Sequence, residues 1–154
     1  MNDDQVYQTS RRKDPDMAIG LEVRNNWYEI GSSDFLYSFF STIAAVLEKE
    51  AWGKRFPVIM TRLYNGCIEK TEMPEAKREL LTIQKELKLH SPKEIVWNYE
   101  DRTLSPPWGD NISDSITDLS NYFYTSDGED MFVVFFKAID DAIETGSSLE
   151  ISPL

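Results

Sequence analysis

The strongest constraint on the fold is a long apolar stretch within GSSDFLYSFFSTIAAVLEKE, residues 31–50. Phe39 and Val46 widen a face that already repeats with the period of an α-helix. The positions that carry this period are Leu36, Phe40, Ile43 and Leu47. A helix this apolar is stable only when other elements cover it, so we predict that it forms the centre of the core. Ser33 or Asp34 is the predicted N-cap.

The residues before this helix alternate in the way that strands do. Met17–Val23 places apolar side chains on one face, and Asn25 and Asn26 suit a turn. Trp27, Tyr28 and Ile30 then predict a second short strand. Strand, turn and strand together predict an antiparallel hairpin.

Three further helices are predicted downstream. A short one spans 58–65 between Pro57 and Gly66, and a longer one runs from Pro74 to Leu89. The third begins after Asp127, its predicted cap, and stops at Gly146. Their predicted buried residues include Ala76, Leu80, Ile83, Leu87, Met131, Phe135, Ile139 and Ala142.

The remaining segments are less regular. Residues 94–101 are rich in β-formers and predict a strand, and 149–152 predict a short final strand. Residues 105–123 begin as a loop because of Pro106 and Pro107. Two interpretations stay open beyond it, namely a helical turn through Ile112, Ile116 and Leu119 or a strand over 121–125.

These elements predict an α+β fold in which a small antiparallel sheet packs with three to four helices. One domain is expected over residues 17–154, and its 41% hydrophobic content is enough for a core. Residues 1–16 are polar and weakly patterned, so we expect a flexible N-terminal extension there.

The charge is concentrated near the C-terminal end. Of a formal net charge of −11, residues 1–99 carry 15 acidic and 14 basic side chains, whereas residues 100–154 carry 12 acidic and two basic ones. Binding to nucleic acid and to anionic lipid is driven by cations, so neither is expected. The single cysteine, Cys67, forms no internal disulfide, and no apolar run is long enough to span a bilayer. A cytoplasmic location is therefore expected.

Motifs for catalysis are absent from the sequence. It contains no glycine-rich phosphate loop and no G-x-S-x-G nucleophile elbow. With one cysteine and one histidine, neither a zinc site nor a Cys–His pair is readily built. We predict no enzyme activity, no cofactor and no metal. A carboxylate hydrolase that uses Mg²⁺ remains an alternative, because carboxylates are abundant.

The candidate functional residues lie in the acidic C-terminal third. Asp110, Asp114 and Asp118 recur every four residues, which fits a solvated face, a basic partner or a metal ion. Trp108 fits either a contact residue or a buried loop anchor, and Phe123 is expected in the core. The residues predicted to contact a partner are Glu100, Asp101, Trp108, Asp110, Asp114, Asp118, Tyr122, Tyr124, Asp127, Glu129 and Asp130.

Two segments give the chain a family resemblance. WYEIGSSDFLYSFFSTI (27–43) and PPWGDNISDSITDLSNYF (106–123), followed by TSDG (125–128), resemble the immunity protein 70 family. These are small bacterial proteins encoded beside polymorphic toxins. The resemblance extends from about Met17 to the final strand, and neither segment is a catalytic motif.

The resemblance implies a protein that binds the C-terminal domain of a cognate toxin and neutralises it. The acidic third of the chain adds the hypothesis that this toxin domain is basic, as a nuclease would be, and that an acidic surface covers it. The alternative is a small adaptor or ligand-binding module. Its mark would be an apolar pocket at Trp27, Trp52 or Trp97 that opens to solvent.

Overall fold

A computed structural model describes residues 17–153, and the predicted extension 1–16 lies outside them. Four antiparallel strands form one sheet in the order β2-β1-β4-β3. The strands are β1 (Ala18–Val23), β2 (Asn26–Ser32), β3 (Cys67–Ile68) and β4 (Leu149–Pro153). The predicted hairpin is confirmed, with Val23 opposite Asn26 and Leu21 opposite Tyr28. The predicted final strand is confirmed and pairs with β1.

Strand β2 leads directly into the apolar helix. Helix α1 spans Ser33–Thr42 and continues as a π-helix over Ile43–Leu47. Its N-cap is Ser32 rather than Ser33 or Asp34, because the Ser32 hydroxyl accepts the N–H of Phe35 at 3.2 Å. The predicted central position of this helix is confirmed, since Leu36, Phe40, Ile43 and Leu47 are all buried.

The other helices pack against the sheet or against one another. A second π-helix spans Val58–Leu63, α2 spans Met73–Leu87 and α3 spans Met131–Thr145. Gly146 ends α3 in a left-handed conformation, as predicted. Short 3₁₀ turns lie at Lys70–Glu72, Pro92–Glu94 and Leu119–Asn121. The predicted α+β class is confirmed.

The cap of α3 differs from the prediction. Asp130, not Asp127, accepts the N–H of Phe132 at 2.8 Å. Asp127 instead accepts the hydroxyl of Thr125 within the preceding turn. Both aspartates precede the same apolar run, and the turn places the nearer one at the free N–H groups.

Two buried carboxylates accept backbone N–H groups, one along the connection between the π-helices and one at the start of the second π-helix. Glu48, 3% exposed, accepts the backbone N–H groups of Gly53, Arg55 and Phe56 at 2.8, 3.0 and 3.1 Å. Glu79, 4% exposed, accepts those of Val58 and Ile59 at 3.2 and 2.9 Å. Burial raises the pKa of Glu79, although the two N–H donors partly oppose this. No role was predicted for either residue.

Candidate functional site

The segment after α2 crosses the polar side of α1 and is not a strand. The Val96 carbonyl accepts the hydroxyls of Ser38 and Thr42 at 2.8 and 3.2 Å, and its N–H donates to Thr42 at 3.1 Å. The Tyr99 N–H donates to the Ser41 hydroxyl at 3.0 Å. The prediction of a strand over 94–101 is therefore wrong. The backbone of this segment forms hydrogen bonds with hydroxyl groups of α1 and not with a neighbouring strand. This segment leads into residues 100–118, which we call the acidic loop.

An aromatic cluster lies beneath the acidic loop. Trp108 packs edge-on against Phe35 and Trp97, with ring centroids 5.3 and 5.4 Å apart. Phe35 also contacts Phe123 at 5.5 Å, and Phe123 is buried as predicted. The indole N–H of Trp108 donates to the Tyr122 hydroxyl at 2.9 Å. Of its two interpretations, the half-buried Trp108 fits the loop anchor.

Tyr122 lies deeper than the other predicted contact residues. It is only 4% exposed, and burial raises the pKa of its hydroxyl. It supports Trp108 from below and presents little surface to a partner. Tyr124 is half-buried and forms an isolated β-bridge with Asp130. The strand considered over 121–125 is thus reduced to a single bridge.

The three aspartates of the acidic loop do not share a helix face, because the loop is irregular there. Asp118 is the N-cap of the Leu119–Asn121 turn and accepts the Ser120 N–H at 2.8 Å. Burial opposes ionisation of Asp118, but hydrogen bonds from Ser120 and Thr117 outweigh it and lower the pKa. Asp118 therefore has a structural role, and only its half-exposed surface is available to a partner.

Replacing Asp118 with alanine is expected to destabilise the chain by about 1 kcal/mol, the usual loss for a capping residue. Urea denaturation of the variant beside Asp118→Asn would measure it, since asparagine keeps a capping oxygen. Equal losses in the two variants would contradict the capping role.

Most of the other predicted carboxylates are already engaged. The Tyr37 hydroxyl donates to Glu100 at 2.7 Å, and Lys137 pairs with Glu129 at 3.3 Å. Asp101 accepts the N–H of Thr103 at 3.1 Å, and hydrogen bonds from Thr103 lower the pKa of Asp101. These residues stay exposed, but part of their hydrogen-bonding capacity is used within the fold.

Asp110 and Asp114 differ from the rest of the set. Both are exposed, and over residues 17–153 no hydrogen bond or ion pair involves either carboxylate. Both follow Trp108, whose ring and hydrogen bond fix the start of this stretch. These two carboxylates are thus exposed to solvent, and no ion pair within residues 17–153 neutralises them.

A groove of about 720 Å³ opens beside the acidic loop. Trp97, Leu104 and Tyr122 contribute apolar surface to it, and Lys93, Arg102 and Asp110 contribute charge. Such an opening at Trp97 is the mark expected of a ligand-binding module. Trp52, in contrast, is packed against Tyr64 and donates to the Met60 carbonyl at 2.7 Å.

Two other features bear on chemistry. Within residues 17–153, no group of three or more histidine, cysteine, aspartate or glutamate side chains is arranged to hold a metal ion. In the same part of the chain, no helix has the length and apolar character needed to cross a bilayer. The candidate site therefore comprises the exposed carboxylates, the aromatic anchor Trp108 and the groove.

Fold and surface together define a single-domain α+β protein with an acidic loop anchored on aromatic side chains. Residues 21–151 match the model of the family described as Immunity protein 70, and the chain belongs to that family. It is an immunity protein of a polymorphic toxin system, whose role is to bind a cognate toxin. Comparison with curated proteins and with solved structures gave no match.

Proposed function

We propose that this immunity protein neutralises a cationic toxin domain, such as a nuclease, by stoichiometric binding through its acidic loop. The observation that carries the proposal is the pair Asp110 and Asp114, exposed and unpaired on an anchored loop. A toxin that binds phosphate groups presents cations at its active site. Carboxylates on a fixed loop are suited to cover that site. The protein acts as an inhibitor without catalysis, in the cytoplasm of the producing cell.

Charge at this position acts mainly on the rate of association. Complementary potentials steer two proteins together and raise the association rate constant at low salt. Screening weakens this effect because the Debye length falls to about 8 Å at physiological ionic strength. Fast capture of newly made toxin is what an inhibitor inside the producing cell requires.

Reversing both free carboxylates, as Asp110→Lys with Asp114→Lys, is expected to slow association about 10-fold at low salt and to flatten its salt dependence. The partner is the C-terminal domain of the cognate toxin, carrying an inactivating mutation. Stopped-flow measurements at two salt concentrations would give the rates.

The matched control is Glu69→Lys with Glu144→Lys. Both residues are exposed, neither lines the groove, and the net charge changes equally. If the control slows association as much as the double reversal, total charge rather than the acidic loop is responsible. Co-expression of the active domain tests the function itself, since growth should depend on this chain. Growth arrest despite its presence would overturn the proposal.

A further inference from the structure

We propose that the groove beside the acidic loop receives a segment of the toxin in which a lysine or arginine adjoins a large apolar side chain. The inference rests on the function proposed above and assigns the part of the surface that holds the complex together. The walls of the groove are formed by residues 92–97 and 102–112. The groove shares Asp110 with the pair of carboxylates that steers the encounter, and it adds apolar walls to that charge.

The apolar part of the groove is open to solvent. Leu104 is 49% exposed, and Ile95, Trp97 and Ile112 are each only half-buried. The volume of about 720 Å³ lies within the range of about 300–1,000 Å³ that ligand sites occupy. Large apolar side chains in such pockets carry much of the affinity at protein interfaces. A bulky side chain of the partner would cover these surfaces.

The charges of the groove indicate what flanks that side chain. Arg102 pairs with Glu50 and lies over the Tyr99 ring, 4.9 Å from its centroid. Its charge is therefore largely satisfied. Asp110 has no partner in the part of the chain that the structure describes, so a cation of the toxin complements it.

Lys93 is the second charge of the groove that is available. Its ammonium forms no ion pair within residues 17–153. As a donor without a partner, it suits a main-chain carbonyl of the inserted segment. The groove therefore offers Asp110 as a free acceptor, Lys93 as a free donor and an apolar surface. These features match a segment in an extended conformation that carries a basic and an apolar side chain.

The groove is also largely formed before binding. Trp97 lies 5.4 Å from Trp108, and Ser38 and Thr42 fix the backbone at Val96. Walls held in this way lose little conformational entropy when a partner arrives. Binding should therefore proceed with small changes in the backbone of this region.

The test replaces Leu104 with glutamate and compares it with Leu81→Glu. Leu81 lies on α2 and is 50% exposed, so the two variants match in chemistry, charge and exposure. With the inactivated toxin domain as partner, Leu104→Glu is expected to bind about 30-fold more weakly, mainly through faster dissociation. Leu81→Glu should bind as the unmodified chain does. Leu104→Ala, a milder change, should fall between them.

The indole N–H resonances supply a second measurement. The toxin domain is expected to shift the signal of Trp97 and to leave that of Trp52 in place. If the unmodified chain binds but Leu104→Glu and Leu81→Glu behave alike, the groove assignment is overturned while the proposed function stands. If the unmodified chain does not bind at all, both proposals fail.

Discussion

Replacing Glu48 with alanine is expected to destabilise the folded chain by about 3–5 kcal/mol. The reason is that three backbone N–H groups, the buried one of Phe56 and the part-buried ones of Gly53 and Arg55, would lose their acceptor together. Each unsatisfied buried donor costs about 1–3 kcal/mol, and partial access of water to the connection reduces the sum. Urea denaturation followed by circular dichroism would measure the loss.

Two further variants isolate the cause of that loss. Glu50→Ala removes a neighbouring glutamate whose ion pair with Arg102 is exposed, so about 1 kcal/mol or less is expected. Glu48→Gln keeps one acceptor oxygen and should fall between the two. A loss below about 1 kcal/mol for Glu48→Ala would show that the connection does not depend on this carboxylate.

Glu48 also acts on the second buried carboxylate. Its negative charge is one of the causes that raise the pKa of Glu79, after burial itself. Glu48 binds the end of the connection, at residues 53–56, and Glu79 binds the start of the second π-helix, at residues 58–59. In this irregular stretch, side-chain oxygens accept backbone N–H groups that have no regular backbone partner.

The helices were predictable because their signals are local. The spacing of Leu36, Phe40 and Ile43 is set by the helical period, and it follows from the chain whatever surrounds it. The β1–β2 hairpin was predictable for the same reason, since a strand, a turn and a strand are contiguous. The helix caps were predicted to within a few residues, because several capping residues stand side by side before α1 and α3.

The failed strand over 94–101 shows where local signals end. Its composition favours a strand, but a strand needs a neighbour that donates and accepts along its length. The structure supplies Ser38, Ser41 and Thr42 instead, three hydroxyls on one side of α1. Their spacing of three and four residues on an apolar helix was a signal for such a contact. The sequence did not show that the backbone of residues 94–101 would be the partner of these hydroxyls.

The candidate site was predicted as a region, not as individual roles. The excess of acidic residues after position 100 predicted the same partner-binding role for Asp110, Asp114 and Asp118. Only the fold separates Asp118, which caps a turn, from the two unpaired carboxylates. Lys93 and Leu104 were not predicted, because the groove depends on the path of an irregular stretch, residues 92–112, that has no helical or strand period.

Trp108 links the stability of the acidic loop to the proposed binding, so Trp108→Ala should change both. We expect a loss of about 2–3 kcal/mol in the free energy of unfolding. The variant loses two aromatic contacts, with Phe35 and Trp97, and leaves the buried Tyr122 hydroxyl without its donor. Binding of the inactivated toxin domain should weaken about 100-fold, because the carboxylates would no longer be held in position.

The control Trp108→Phe keeps an aromatic ring and removes only the indole N–H. It should retain most of the packing and lose about 1 kcal/mol from the missing hydrogen bond. Calorimetric titration with the toxin domain, beside urea denaturation, gives both quantities for each variant. If Trp108→Ala binds as tightly as the unmodified chain although its stability falls, the anchor serves the fold alone. If Trp108→Ala instead binds more weakly because the toxin must first order the loop, its binding entropy should be more unfavourable than that of the unmodified chain. The reason is that Trp108 normally fixes these residues before the toxin binds.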